Sequence, residues 1–260
     1  MKRQPLRHII QTVFFILTLG LVSSVYTGII AIAHAVCPNS VICFGVSGIK
    51  NGSFAFIPAI IAGLVFLVST IFFGRFFCGY VCFFGTLNEF MYKLFHKKKN
   101  KSQKISPIYE RKLNIVKYIV FSFTLVSVLF FTINLYQKVC PVMVVTTLNQ
   151  IAWQSIIILI IFTIVAAISS RFWCRFLCPY ATLMNIFQYF GKLLRIRRVM
   201  IHRNMEVCID CLQCDKACPM NIVVSVDEVI TDPNCIHCGE CTSICPKPGA
   251  LLEKMPIKKK

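Results

Sequence analysis

Eight cysteines near the carboxyl end of the chain occur in two runs of the same spacing. Both runs read Cys-x2-Cys-x2-Cys-x3-Cys-Pro, and they cover residues 208–219 and 235–246. Thiolates are the soft, negative ligands that iron in a sulfide cluster prefers. In this spacing three cysteines of one run bind a [4Fe–4S] cluster whose fourth ligand comes from the other run. The predicted ligands are Cys208, Cys211, Cys214 and Cys245 for cluster I, and Cys235, Cys238, Cys241 and Cys218 for cluster II.

Structural zinc is the competing interpretation of these runs. Zinc sites favour two Cys-x2-Cys pairs with four ligands in total, and they do not require the terminal Cys-Pro of each run. Two iron–sulfur clusters side by side form an electron relay, which needs neither a general base nor a nucleophile. We therefore expect no catalytic residue, and we expect His202 and His237 to be surface or cluster-flanking residues rather than ligands.

Four more cysteines lie in a duplicated motif of the apolar part of the chain. The segment 75–82, Arg-Phe-Phe-Cys-Gly-Tyr-Val-Cys, recurs at 171–178 as Arg-Phe-Trp-Cys-Arg-Phe-Leu-Cys. On a helix, a Cys-x3-Cys spacing places both thiols on one face. Four thiols at one place suit one further iron–sulfur cluster, although packing thiols and a redox dithiol pair remain alternatives. This candidate third site consists of Cys78, Cys82, Cys174 and Cys178.

An arginine precedes each of these cysteine pairs by three residues. Arg75 and Arg171 would offset the negative charge of a metal centre at the third site. The alternative is that both are ordinary basic residues flanking a membrane span.

The elements that must position these cysteines are apolar segments of membrane length. The chain is 57% hydrophobic, and its mean hydropathy is +0.71. About 20 apolar residues cross a bilayer core, and four segments come near that length. We predict spans at Ile9–Ala33, Phe54–Phe73, Ile115–Leu135 and Ile151–Ser170. Lys117, near the start of the third span, is expected to reach toward the lipid headgroups.

Basic residues alternate between the loops in the order rich, poor, rich, poor, rich. This pattern predicts an inner-membrane protein with both termini in the cytoplasm. It also accounts for the net charge of +18 without a nucleic-acid partner. The two repeats are separated by two spans, so they run parallel and should be related by an axis along the membrane normal.

The predicted fold class is an α-helical integral membrane protein with a carboxyl-terminal α+β module like a bacterial two-cluster ferredoxin. Its membrane domain has four transmembrane helices in two parallel repeats. Amphipathic helices at Phe83–Phe95 and Tyr180–Leu194 are expected at the cytoplasmic interface, the alternative being that they extend the preceding helices. The predicted divisions are repeat 1 at 1–96, a basic linker at 97–112, repeat 2 at 113–198 and the ferredoxin-like module at 199–260.

Three cysteines face the outside in this topology. Cys37 and Cys140 are equivalent in the two repeats, and Cys43 has no counterpart. A disulfide, an outer metal or redox site and unrelated packing thiols all remain open for the pair. A full membrane crossing of about 30 Å separates them from the inner thiols.

The four apolar segments, the duplicated Cys-x3-Cys motifs and the double ferredoxin motif resemble the NapH/NosR-type, CcoG-related family of membrane polyferredoxins over nearly the whole chain. The inner motif of that family is Cys-x3-Cys-Pro. The second copy follows it with Cys174, Cys178 and Pro179, whereas Phe83 follows Cys82 in the first copy. The resemblance implies an electron-transfer subunit that links quinones or a flavoprotein to a reductase or its maturation. CcoG-type relatives imply metal reduction during oxidase assembly.

We therefore expect an electron relay between a membrane donor, a quinol or a flavoprotein, and a redox partner protein. That partner would be a reductase subunit, a flavoprotein or a ferredoxin, in contact with a chain embedded in a lipid bilayer. A quinone is a further candidate partner that the sequence leaves open. Two rival functions are an assembly factor, such as a copper reductase using Cys37 and Cys140, and a redox-responsive regulator.

Overall fold

The computed structural model describes residues 4–26, 57–95, 106–131 and 153–255. The described residues before 195 are mostly helical. Its helices are α1 (Gln4–Tyr26), α2 (Ile57–Phe73), α3 (Phe76–Tyr80), α4 (Phe83–Phe95), α5 (Pro107–Phe131), α6 (Trp153–Ile168), α7 (Phe172–Phe176) and α8 (Pro179–Leu193).

Helices α2–α4 and α6–α8 follow the same order in the two halves of this part. Each set has a long apolar helix, a short helix that carries one cysteine, and an amphipathic helix. The amphipathic helix α4 packs against α6, and α8 packs against α2 and α5. Each half therefore covers the long apolar helix of the other half.

Left-handed backbone and proline separate the long helices from the amphipathic ones. Gly74 (φ +63°) follows α2, and Arg171 (φ +53°) precedes α7. Pro179 begins α8, a position where its missing N–H costs no helical hydrogen bond. The amphipathic helices thus begin anew at Phe83 and Pro179, and the alternative that they extend the preceding helices is wrong.

Helix length by itself does not establish four membrane spans. Within the described ranges, one helical segment, Lys112–Phe130, is both long and apolar enough to cross a bilayer, while Ile60–Phe73 and Leu159–Ile168 are shorter apolar segments. The outer ends of the predicted spans lie outside the described residues. Helix α5 begins at Pro107, within the stretch 97–112 that is predicted as a basic linker.

The carboxyl-terminal module contains a three-stranded antiparallel sheet in the order β2-β1-β3. Ile201 of the central strand pairs with Ile230, and Arg203 pairs with Leu251. Two short helices carry cysteines of the two runs. The elements are β1 (Met200–Arg203), α9 (Gln213–Ala217), β2 (Val229–Ile230), α10 (Glu240–Ile244) and β3 (Leu251–Lys254).

The module is joined closely to the helical part. The N–H of Val199, just before β1, donates to the carbonyl oxygen of Phe72 at the end of α2 (2.9 Å). Leu67, Met184 and Ile236 belong to one continuous buried apolar cluster, which runs from the long helices into the module.

The polarity of the helical part is inverted relative to a water-soluble protein. Arg7, Arg75 and Arg171 are fully buried, whereas Phe130 is 78% exposed. Lys117 is 1% exposed and donates to the side-chain oxygens of Asn234 and Asn114. The prediction that Lys117 reaches toward the headgroups is therefore wrong.

Candidate iron–sulfur sites

The first candidate site is a small cavity in the module. Its wall contains three cysteines of the first run and one of the second, which are Cys208, Cys211, Cys214 and Cys245. The thiols assigned to cluster I from spacing thus line one common space.

The second candidate site is a small cavity between the sheet and α10. Its wall contains the complementary set, Cys218, Cys235, Cys238 and Cys241. Cys238 and Cys241 are buried, and apolar side chains such as Ile222 and Ile236 complete the wall. Within the described ranges no three His, Cys, Asp or Glu side chains converge as ligands of one metal ion do, so both sites are cavities rather than preformed cages.

Local backbone conformations explain how each run wraps its cavity. Leu212 and Gly239 adopt left-handed φ angles immediately before α9 and α10, which turns the chain between successive cysteines. Asp215 accepts hydrogen bonds from the backbone N–H groups of Val224 (2.6 Å) and Ser225 (2.9 Å), and so ties the first run to the following loop.

Burial keeps the thiols of the second cavity protonated in the absence of a metal. Desolvation raises the pKa of Cys238 to about 11, and it also raises the pKa of Cys235 and Cys241 above their usual range. A buried thiol loses its proton readily only when a cation takes its place. Cluster ligation at this site would therefore release protons.

Arg203 is the charged residue closest to a thiol of the first cavity. Its Nε donates to Sγ of Cys208 at 3.3 Å, and its other nitrogens bind Asp210 and the carbonyl oxygen of Ser225. Its side chain is 3% exposed, and the ion pair with Asp210 partly offsets its charge. Spacing of cysteines gave no indication of this arginine.

The Cys-x3-Cys motifs of the two halves are brought together at the base of the module. Cys78 and Cys174 are buried in α3 and α7. Burial raises the pKa of Cys82 and Cys178, and electrostatic interactions with Cys174 and Cys78 raise it further. The two motifs therefore lie close together in the fold, although in the described ranges their thiols do not converge as the ligands of one metal ion do.

Arg75 and Arg171 bind reciprocally across the two halves. Arg75 Nη2 donates to the carbonyl oxygen of Cys174 (3.0 Å), and Arg171 Nη1 donates to that of Cys78. Gly85 leaves room for this contact, because a Cβ there would lie 2.9 Å from the Cys78 oxygen and 3.0 Å from Arg171 Nη1. The interpretation of these arginines as ordinary span-flanking residues does not fit their complete burial.

A single carboxylate joins the amino-terminal helix to this region. Glu89 accepts from Arg7 and Arg171, both fully buried, and from Lys93 (3.0 Å). Burial raises the pKa of Glu89, but Arg171 and Arg7 outweigh it and hold the pKa well below its usual range. Arg7 also binds Glu240 of α10 at 2.9 Å, which connects the network to the module.

The second cysteine run is seated directly on the helical part. Gln4 donates to the carbonyl oxygen of Cys238 (3.0 Å), and Gln188 donates to that of Pro233 (3.2 Å). Asn234 accepts from Arg75 at 3.2 Å. His237 is 6% exposed and binds Glu253 (3.0 Å), so it flanks the second cavity rather than the surface.

The sequence did contain a signal for the buried ion pairs. Glu89 and Glu110 are the only acidic residues before Glu206, and an acidic residue inside an apolar, basic region is costly unless it is paired. Glu110 pairs with Arg175, just as Glu89 pairs with Arg7 and Arg171. The outer cysteines Cys37, Cys43 and Cys140 lie outside the described residues, so their chemistry stays a prediction.

Comparison with known proteins supports iron–sulfur binding in both parts of the chain. A 4Fe–4S binding domain matches residues 54–102 and again 151–197, and a 4Fe–4S dicluster domain matches residues 200–246. The two matches of the first domain contain the two Cys-x3-Cys motifs. The expectation of 4Fe–4S domains is confirmed, whereas the NapH/NosR family is not singled out by these matches.

Three relatives align with most of the chain. The uncharacterized protein MJ0750 of Methanocaldococcus jannaschii is 32% identical over 100% of the chain and 99% of its own length. MJ0749 of the same organism, also named as uncharacterized, is 30% identical over 96% of the chain and 87% of its own length. YccM of Escherichia coli K12, whose name proposes a role in electron transport, is 27% identical over 76% of the chain and 57% of its own length.

No solved structure matches the chain. The chain has 4Fe–4S binding domains, and its full-length similarity to MJ0750 shows that it belongs to the same family as that protein.

Proposed function

We propose that this chain is a membrane-bound electron-transfer protein that relays electrons between a membrane donor and a redox partner protein. The observation that carries the proposal is the pair of four-thiol cavities, each built from both cysteine runs, in a module seated on four further thiols. The name of YccM agrees with such a role. The plan is that of the NapH/NosR-type, CcoG-related family, and it implies a subunit of an oxidoreductase system rather than a stand-alone enzyme.

The eight module cysteines would hold two [4Fe–4S] clusters in the crossed arrangement. Each such cluster supplies one-electron chemistry at a reduction potential that the surrounding charges and hydrogen bonds adjust. The residues of the chain bind the clusters, exclude water and set the local charge. Cys78, Cys82, Cys174 and Cys178 would together hold one further cluster at the third site.

The inverted polarity of the helical part supports a bilayer environment. Apolar side chains such as Ile119 and Val65 point outward while ionised side chains lie inside, and extended exposed apolar surfaces mark membrane contacts. Four spans with both termini in the cytoplasm agree with this surface and with the distribution of basic residues. The inner membrane is then the proposed location.

The geometry favours an order for the relay. The second cavity lies next to the third site, because the backbone of Ile236 in its wall contacts Gly79, which lies between Cys78 and Cys82. The first cavity lies toward exposed apolar residues, including Ile209, Leu212 and Ile244. We propose that a quinol or flavoprotein exchanges electrons at the membrane end. A reductase subunit, flavoprotein or ferredoxin would then dock at the exposed end.

Iron and acid-labile sulfide quantitation with EPR on anaerobically purified protein tests this function. About eight irons per chain would indicate the two module clusters, and about twelve would add the third site. Zinc without inorganic sulfide would overturn the proposal. Mapping the carboxyl terminus to the outer side of the membrane would overturn the proposed topology.

A further inference from the structure

The contacts of Arg75 and Arg171 form a symmetric pair at the third site. Each arginine follows the long helix of its own half and donates to the backbone of a cysteine in the other half. Both side chains are fully buried. The same relation in both directions places two guanidinium groups against the backbone of Cys78 and Cys174.

The Nε atoms of both arginines are buried and have no hydrogen-bond partner within the described part of the chain. A buried charged donor without a partner is unfavourable, so such groups are rare unless an ion or ligand completes them. Arg175, in the same motif, provides the contrast. Its Nε donates to Glu110 at 2.9 Å, and its charge is neutralised by that carboxylate.

Charge gives a second, independent indication of an anion at this place. Glu89 is shared by Arg7 and Arg171, and the partners of Arg75 are an amide oxygen and a carbonyl oxygen. Buried positive charge therefore exceeds buried negative charge around the thiols. Four thiolates on a [4Fe–4S]2+ core carry a formal charge of about −2, which would offset that excess.

We propose that Arg75 and Arg171 are paired positioning residues whose Nε–H groups donate hydrogen bonds to the sulfur atoms of one centre shared by Cys78, Cys82, Cys174 and Cys178. This inference rests on the third-site part of the proposed function. It assigns a single centre to the two matched domain copies together. It also makes the two guanidinium groups the main determinants of the reduction potential of that centre.

The physical consequence is a preference for the reduced state. Reduction adds one electron from the donor and makes the centre more negative by one charge. Nearby positive charges and N–H donors stabilise the more negative state, and in a buried site they act with little screening. Removing either arginine should therefore lower the reduction potential.

Redox titration followed by EPR on the full chain tests the inference, with the variants Arg75→Lys, Arg75→Gln, Arg171→Lys and Arg171→Gln. Arg175→Lys serves as the matched control, since it changes a buried arginine of the same motif whose Nε is already bound. We expect the Gln variants to lower the reduction equilibrium constant of the third-site signal at least tenfold, about 59 mV for one electron. The Lys variants should show a smaller shift in the same direction, and Arg175→Lys should leave the potential unchanged.

The outcomes separate the two levels of the proposal. Twelve irons in the unsubstituted protein with unchanged potentials in all four variants would overturn the role of the arginines and leave the third site standing. Eight irons and no third signal would overturn the shared centre together with this inference, and would leave the two-cluster relay intact. If a variant fails to fold, its partner substitution in the other repeat supplies the measurement.

Discussion

Gly79 and Ile236 lie in direct backbone contact, since a Cβ on Gly79 would stand 2.5 Å from the carbonyl oxygen of Ile236. Gly79 follows the first cysteine of the third site, and Ile236 follows the first cysteine of the second run. The absence of a side chain at residue 79 therefore allows the cluster II cavity to approach the third site.

Gly79→Ala should weaken the seating of the module on the helical part. Backbone cannot move aside as a flexible side chain can, so we expect a loss of about 1–3 kcal/mol in stability. Thermal unfolding and limited proteolysis of the detergent-solubilised chain would measure it. Gly20→Ala is the matched control, because a Cβ at Gly20 meets nothing within 4 Å. Equal behaviour of the two variants would show that the contact at Gly79 has no energetic weight.

Arg203→Gln should lower the reduction potential of cluster I and leave that of cluster II unchanged. The substitution removes a buried positive charge and the donor 3.3 Å from Cys208 Sγ. We expect a shift equivalent to about tenfold in the reduction equilibrium, measured by EPR-monitored titration. Arg197→Gln, at an exposed position of the preceding segment, is the control. An equal shift in the reduction potentials of both clusters would contradict a local effect of Arg203.

Cys245→Ser should remove cluster I, whose other three ligands belong to the first cysteine run. Cys245 belongs to the second run but lines the first cavity, so about four irons should be lost together with the signal that Arg203→Gln shifts. Cys218→Ser should remove the complementary signal. Crossed ligation would be disproved if Cys245→Ser removed cluster II and Cys218→Ser removed cluster I.

Glu89→Gln should destabilise the protein by about 3–5 kcal/mol at neutral pH, because it leaves the buried Arg171 without its carboxylate and removes one of the two carboxylates of Arg7. The pKa of Glu89 is depressed in the folded state, so its stabilisation is present above the unfolded pKa of about 4.3 and is lost as the pH falls below it. The difference in stability between wild type and variant should therefore stay constant from pH 8 to pH 5 and narrow at lower pH. A difference that already shrinks between pH 8 and pH 6 would contradict the depressed pKa.

Local pattern predicted the helical elements well. The amphipathic helix at Phe83–Phe95 has the predicted bounds, and α2 and α6 begin within three residues of the predicted spans. These features depend on residue type and spacing within one segment. Helix α5 begins eight residues before the predicted start of its span at Ile115. The span was predicted from its run of apolar residues, and the first turns of the helix contain polar residues that such a run leaves out.

Long-range relationships were less predictable. Cysteine spacing indicated which thiols share a cavity, since the loop itself fixes that geometry. The position of Lys117 near the start of a predicted span favoured contact with lipid headgroups. Lys117 instead contacts Asn234, more than a hundred residues away in the sequence. The partners of Arg7, Glu89 and Arg203 likewise depend on how distant segments pack, which periodicity does not encode.

The short connection between α8 and β1, fastened by the bond from Val199 to Phe72, has a consequence for how electrons would leave the protein. In some electron-transfer proteins a mobile domain carries its cofactor from the donor site to the acceptor site. A carboxyl-terminal module held in place by this bond would instead transfer electrons from a fixed position. The redox partner would then have to bind to the module. The turnover rate would depend on the lifetime of that complex rather than on movement of the module.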